Sequence, residues 1–192
     1  MKKLISIFLF VICITVLVGC GSKNDEVFNK RLNLTVAKTQ LINSNKAILN
    51  SLNSTYKIEN VLIKLTNGKS IMEIVPGSAS KLITTVWNQP VVGDLNGDKI
   101  NDAALILIQD GGGSGTFYYV VANISTKEGK YIGTNAILLG DRINPQSIKI
   151  QKGNIIVNYL DRKENDTMVT KPSVLKTRTF TVKGTFLTEK NK

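Results

Sequence analysis

From Thr55 onward the chain is cut into short apolar runs, each ended by a glycine, proline or asparagine signal. That rhythm constrains the fold more than any other feature. Tyr56-Lys57-Ile58 and Val61–Leu65 are too short for helices and rich in β-branched residues. Asn67-Gly68 follows as a hairpin signal and predicts a return strand at Ile71–Val75. Pro76-Gly77-Ser78 closes that run, and Lys81–Trp87 opens the next. Ala103–Ile108 and Phe117–Val121 read as two strands around a glycine-rich loop, Asp110–Gly115. Ile132–Leu139, Ser147–Gln151, Ile155–Leu160, Leu175–Val182 and Thr185–Leu187 continue the pattern. Lys152-Gly153-Asn154 and Lys183-Gly184 supply turns, and Asp161–Pro172 a polar loop. Strands at this spacing predict a mainly β fold, an antiparallel meander, sandwich or barrel-like sheet.

The stretch before Thr55 differs. Leu41, Ile42, Ile48, Leu49 and Leu52 keep partial helical spacing, which predicts a short helix near Gln40–Leu52. Gly21 to about Lys30 is small, polar and charged, and reads as a flexible tether. The N-terminus has the build of an export signal: Met1-Lys2-Lys3, then a mostly apolar run from Leu4 to Val18. Leu17-Val18-Gly19-Cys20 resembles the lipobox of bacterial lipoproteins. The resemblance implies a signal peptide over 1–19, a palmitate-type lipid on Cys20, a tether over 20–30 and one β-rich domain over 31–192. The implied location is the cell membrane or outer membrane, on the extracytoplasmic side. Two acyl chains make a stable anchor where one is marginal. The only cysteines are Cys13 and Cys20, so a processed chain has no disulfide.

The run Asp94-Leu95-Asn96-Gly97-Asp98-Lys99-Ile100-Asn101-Asp102 places oxygen-bearing side chains at positions 1, 3, 5 and 9. Hard oxygen ligands at alternating positions, with a carbonyl at position 7, suit a calcium ion. The loop resembles those of FG-GAP, integrin-type and dockerin-type repeats. Carried over, that pattern makes Asp94, Asn96, Asp98, the Ile100 carbonyl and Asp102 the ligands of a structural Ca²⁺. Lys99 departs from it, because glycine is usual there for a left-handed turn. An EF-hand does not fit, since Leu105 stands where a bidentate glutamate is needed. The alternative is an Asx-rich turn held by side chain to backbone bonds without metal. No second copy of the run occurs, which rules out a propeller built of such units within this chain.

The chain has no histidine, which removes Ser-His-Asp and Cys-His catalysis and histidine zinc sites. A pair of carboxylates remains for glycoside hydrolysis, drawn from Asp94, Asp102, Asp110, Asp141 and Asp161. Asp141-Arg142 and Asp161-Arg162 end apolar runs and suit ion pairs or a polar ligand. The glycine loop lacks the Gly-Lys-Ser/Thr ending of a phosphate loop. With 25 basic and 14 acidic residues the formal charge is +11. A basic exported chain meets anionic lipid or an anionic cell-envelope polymer as candidate partners, while the scatter of the basic residues favours a solvated surface, and no nucleic acid is expected.

Taken together, Gly93–Ala104, Gln109–Tyr119, Asn135–Arg142 and Asn158–Arg162 resemble a group of uncharacterised bacterial exported proteins and lipoproteins. The resemblance covers about residues 54–187 and implies no activity. The expectation is a lipid-anchored, non-enzymatic binding or structural module. Its alternative is a carboxylate-dependent hydrolase of an extracellular or cell-wall polymer.

Overall fold

The computed structural model describes residues 23–77 and 79–190. The signal region and Cys20 lie outside the described residues. The described residues divide into two compact units, one up to Lys38 and one from Thr39 onward. The described part of the first is helical and leaves Val27, Phe28, Leu32, Leu34 and Val36 exposed. No described helix is long and apolar enough to cross a membrane.

The helix, α1, runs Lys23–Ser51. It begins well before Gln40, so Lys23–Lys30, expected as flexible tether, is helical. Polar residues that weakened the expectation are absorbed locally. Thr35 Oγ1 donates to the Arg31 carbonyl at 2.9 Å, and Asn50 Nδ2 to the Lys46 carbonyl at 2.8 Å. Such bonds to the preceding turn leave the helix intact. Within the second unit, Ser44, Ala47, Ile48 and Ser51 form the covered stripe, at the 3–4 residue spacing of one helix face. The buried Tyr56 hydroxyl donates to the Ser51 carbonyl at 2.7 Å and satisfies the helix end.

The second unit is mainly β and antiparallel. Its strands are β1 (Thr55–Ile58), β2 (Val61–Lys64), β3 (Lys69–Glu73), β4 (Lys81–Val86), β5 (Val91–Gly93), β6 (Asp102–Asp110) and β7 (Thr116–Ser125). Then come β8 (Tyr131–Gly133), β9 (Ile137–Asp141), β10 (Asn144–Gln151), β11 (Asn154–Asp161), β12 (Val174–Lys183) and β13 (Phe186–Glu189). A seven-stranded sheet contains β3 to β9, a four-stranded sheet has the order β10-β11-β12-β13, and β1 and β2 form a two-stranded sheet, with an isolated parallel bridge from Lys57 to Asn135.

The hairpin β6–β7 is the axis of the larger sheet. The far edge of β6 is shared by β4 and β5 in succession, and that of β7 by β8 and β9. Splitting each outer edge between two short strands lets the sheet curl into a half-barrel. Both faces of the hairpin are buried. Ala104, Ile106, Val120 and Ala122 face a core shared with Ile155, Val157, Phe180 and Leu187 of the four-stranded sheet. Leu105, Leu107, Tyr119 and Val121 face a second core under Tyr56, Ile58, Ile63 and Leu65. Burial on both faces explains why Ala103–Ile108 is apolar without alternation.

The Asn67-Gly68 turn does not join two strands of one sheet. Thr66 and Lys69 form a single bridge, after which β2 stays with β1 and β3 pairs with β4. Turn chemistry here sets a local bend, while burial of Ile63 and Leu65 decides the pairing. The β1–β2 hairpin instead turns at Glu59-Asn60, with Glu59 at φ 53° and no glycine to announce it. Across the sheet edges, Asn135 imitates a strand backbone. Its Nδ2 donates to the Leu187 carbonyl at 3.0 Å and its Oδ1 accepts from the Leu187 N–H at 2.8 Å. Gly133 is required by close approach, because a Cβ there would strike the Thr55 carbonyl oxygen.

Candidate metal loop and the Asp-Arg cleft

The acidic run joins β5 to β6, with Gly93 opposite Asp102 in the ladder. It is therefore a hairpin connection between two paired strands, and each carboxylate closes part of it. Asp94 accepts from the Gly97 N–H at 2.7 Å and from the Lys99 N–H at 2.9 Å, one on each oxygen. Asn96 Oδ1 accepts from the Asp98 N–H at 3.0 Å, and Asp98 Oδ1 from the Ile100 N–H at 2.8 Å. Asn96 Nδ2 donates to the second Asp98 oxygen at 3.2 Å. Gly97 and Lys99 have φ of 84° and 66°, so the lysine occupies the left-handed conformation that favours glycine.

Asp102 points inward and is fully buried. Its Oδ2 accepts from the Leu95 N–H at 2.9 Å and its Oδ1 from the Ser125 N–H at 2.8 Å. The Ser125 hydroxyl donates to the Asn101 carbonyl at 2.7 Å. Asp102 and Ser125 thus pin the loop to the end of β7. Burial is the main cause that pushes the Asp102 carboxyl up to about 6. The two N–H bonds oppose the shift, and the charges of Asp98 and Asp94 add to it. Ser125 was not legible as a site residue, because a serine at a strand end carries no signal by itself.

Among the described residues no three His, Cys, Asp or Glu side chains gather as a metal cluster. The loop has the bonding of an Asx-rich turn. Its donor chemistry still fits calcium. All candidate ligands are hard oxygens, and each bonded oxygen keeps a second lone pair. The Asn96–Asp98 side-chain bond is the contact that an ion would replace.

Asp141 and the Asp161-Arg162 pair, far apart in sequence, line one cleft of about 300 Å³ with Lys163, Glu164, Asp166 and Lys176. Asp141 Oδ1 accepts from the Thr116 N–H at 2.8 Å, and Arg142 lies on Oδ2 at 3.2 Å. Asp161 pairs with Lys176 Nζ at 2.7 Å and accepts from the Arg162 N–H at 2.8 Å. Arg162 donates to the carbonyls of Thr170 at 2.6 Å and Arg142 at 3.1 Å, tying the 162–173 loop to the end of β9. Burial alone would raise the Asp161 carboxyl, but the Lys176 bond, the Arg162 N–H and both cations outweigh it and hold the group low. A glycosidase acid needs the opposite shift. Asp110 lies outside this cleft and caps the glycine loop, accepting from the Gly112 N–H at 2.7 Å.

Compared with models of protein families, with curated proteins and with solved structures, the chain matches none.

Proposed function

We propose that the chain is a lipid-anchored cell-envelope protein that acts by binding, with a calcium ion holding the 94–102 loop. The observation that carries the metal is charge. Asp94, Asp98 and Asp102 lie within nine residues along one strand connection, and none is in an ion pair among the described residues. Backbone N–H groups satisfy their hydrogen bonds but cannot cancel their charge. A divalent cation coordinated by the remaining lone pairs would cancel it. The anchor rests on Lys2-Lys3, the apolar run to Val18 and the cysteine of Leu17-Val18-Gly19-Cys20. The partners of this reading are the membrane and an anionic envelope polymer.

Labelled palmitate fed to bacteria expressing the full chain tests the anchor. Label should enter the wild type and not Cys20→Ser, which should leave the membrane fraction. Label retained by Cys20→Ser would overturn it. One observation favours the second reading, a carboxylate hydrolase: Asp141 and Asp161 share a cleft. Fragments released from cell-wall polymer by the wild type, but not by Asp141→Asn or Asp161→Asn, would select that reading.

A further inference from the structure

A cavity of about 220 Å³ lies within the second unit, between the end of α1, the acidic loop and the β7–β8 turn. Asn43, Lys46, Lys99, Asn101, Thr126 and Tyr131 are among its lining residues, and no Asp or Glu is. Among the described residues neither Lys46 nor Lys99 is in an ion pair. Lys46 Nζ lies 5.7 Å from the centre of the Tyr131 ring, a contact that orients the ammonium without neutralising it. Glu128 engages the Thr126 hydroxyl but does not line the cavity.

The second observation is the backbone of Lys99. At φ 66° a lysine is strained where glycine would be relaxed, and this lysine is one of the two cations among the cavity's lining residues. The size also discriminates. At about 30 Å³ per water the space holds roughly seven waters, and it falls below the roughly 300–1,000 Å³ of sites that enclose a whole small molecule. Such a cavity takes one charged group of something larger.

We infer that this cavity binds a phosphate group, and that its source is a phosphodiester-linked polymer of the cell envelope. Two lysine ammoniums act as point charges, the way lysine commonly binds a phosphate group. Asn43 and Tyr131, whose side chains carry neutral donors, are also among the lining residues. The inference rests on the reading of the chain as a binding module and does not require the calcium ion.

Inorganic phosphate is titrated into the isotope-labelled full-length chain in a neutral detergent, with chelator present. Backbone amide shifts should map to Lys99, Ile100, Asn101, Thr126 and Gly129. Poly(glycerol phosphate) should give the same map. Lys46→Met and Lys99→Gly should each weaken phosphate about tenfold, the scale of one charge-assisted hydrogen bond. Lys99→Gly relieves backbone strain, so its folding is secure even where Lys46→Met fails to fold. No shift at the cavity, undiminished affinity in Lys99→Gly, or binding to phosphatidylglycerol vesicles without binding to the polymer would each overturn the inference. Palmitate labelling is unaffected by any of these results, so loss of the phosphate site and loss of the anchor are separable.

Discussion

The acidic loop and the Asp-Arg cleft both gather carboxylates, and they treat them in opposite ways. In the cleft Asp141 and Asp161 each have a side-chain cation, Arg142 at 3.2 Å and Lys176 at 2.7 Å. In the loop Asp94, Asp98 and Asp102 have hydrogen-bond donors only. In the cleft the two carboxylates are ion-paired. The loop carries surplus negative charge at a place where the backbone is already folded around it. The difference separates paired carboxylates from a loop whose carboxylates have no ion pair among the described residues, the pattern on which the proposed cation rests.

The sharpest test of that contrast is truncation. Asp102→Ala leaves the Leu95 and Ser125 N–H groups buried without acceptors, and opens a small void. The expected loss is about 4 kcal/mol in chemical denaturation. Asp161→Ala breaks a bond to a Lys176 that is 47% exposed, so its expected loss is below about 1 kcal/mol. Equal losses would erase the contrast.

The pH dependence should differ in sign. The folded chain holds the Asp102 proton more tightly than the unfolded chain, about 6 against 3.8. Between those values the native state binds more protons, so stability in chelator falls as pH rises from about 4 to about 6, by up to about 3 kcal/mol. Above that range the contribution levels off. Asp161 is held low, so its smaller contribution is present above its ordinary value and is lost as pH falls through its folded value. Urea titrations of wild type and Asp102→Ala across pH 4–7 isolate the first term. A wild type that gains stability between pH 4 and 6 through Asp102 would contradict the assignment.

Lys99→Gly has the smaller effect and tests the loop alone. Replacing a strained left-handed lysine should stabilise the fold by about 1 kcal/mol, read as a rise in melting temperature. A fall would mean that the lysine side chain holds the loop together.

The β texture, most strand positions and the hairpin at the glycine loop were legible, because they depend on local burial patterns. The acidic run was legible as a connection between strands, since Val91-Val92 and Ala103–Ile108 flank it. The pairing of β2 was not. Asn67-Gly68 has the chemistry of a hairpin, but buried contacts of Ile63 and Leu65 keep β2 with β1. The start of α1 was hidden by Asn, Ser and Thr residues whose cost is lowered by bonds to the preceding turn. Neither the shared cleft of Asp141 and Asp161 nor the cavity of Lys46 and Lys99 had a signal. Both join residues distant along the chain, which a linear pattern does not carry.

Thermal unfolding of the full-length chain with calcium and with chelator, beside Asp98→Asn, tests the central claim most directly. Ligand that binds only the folded state stabilises it by about 2.7 kcal/mol at a hundredfold excess over Kd, or roughly 5–10 °C for a domain of this size. The account predicts that rise in the wild type and its absence in Asp98→Asn. An unchanged midpoint at millimolar calcium would contradict it and leave the loop as a metal-free Asx turn.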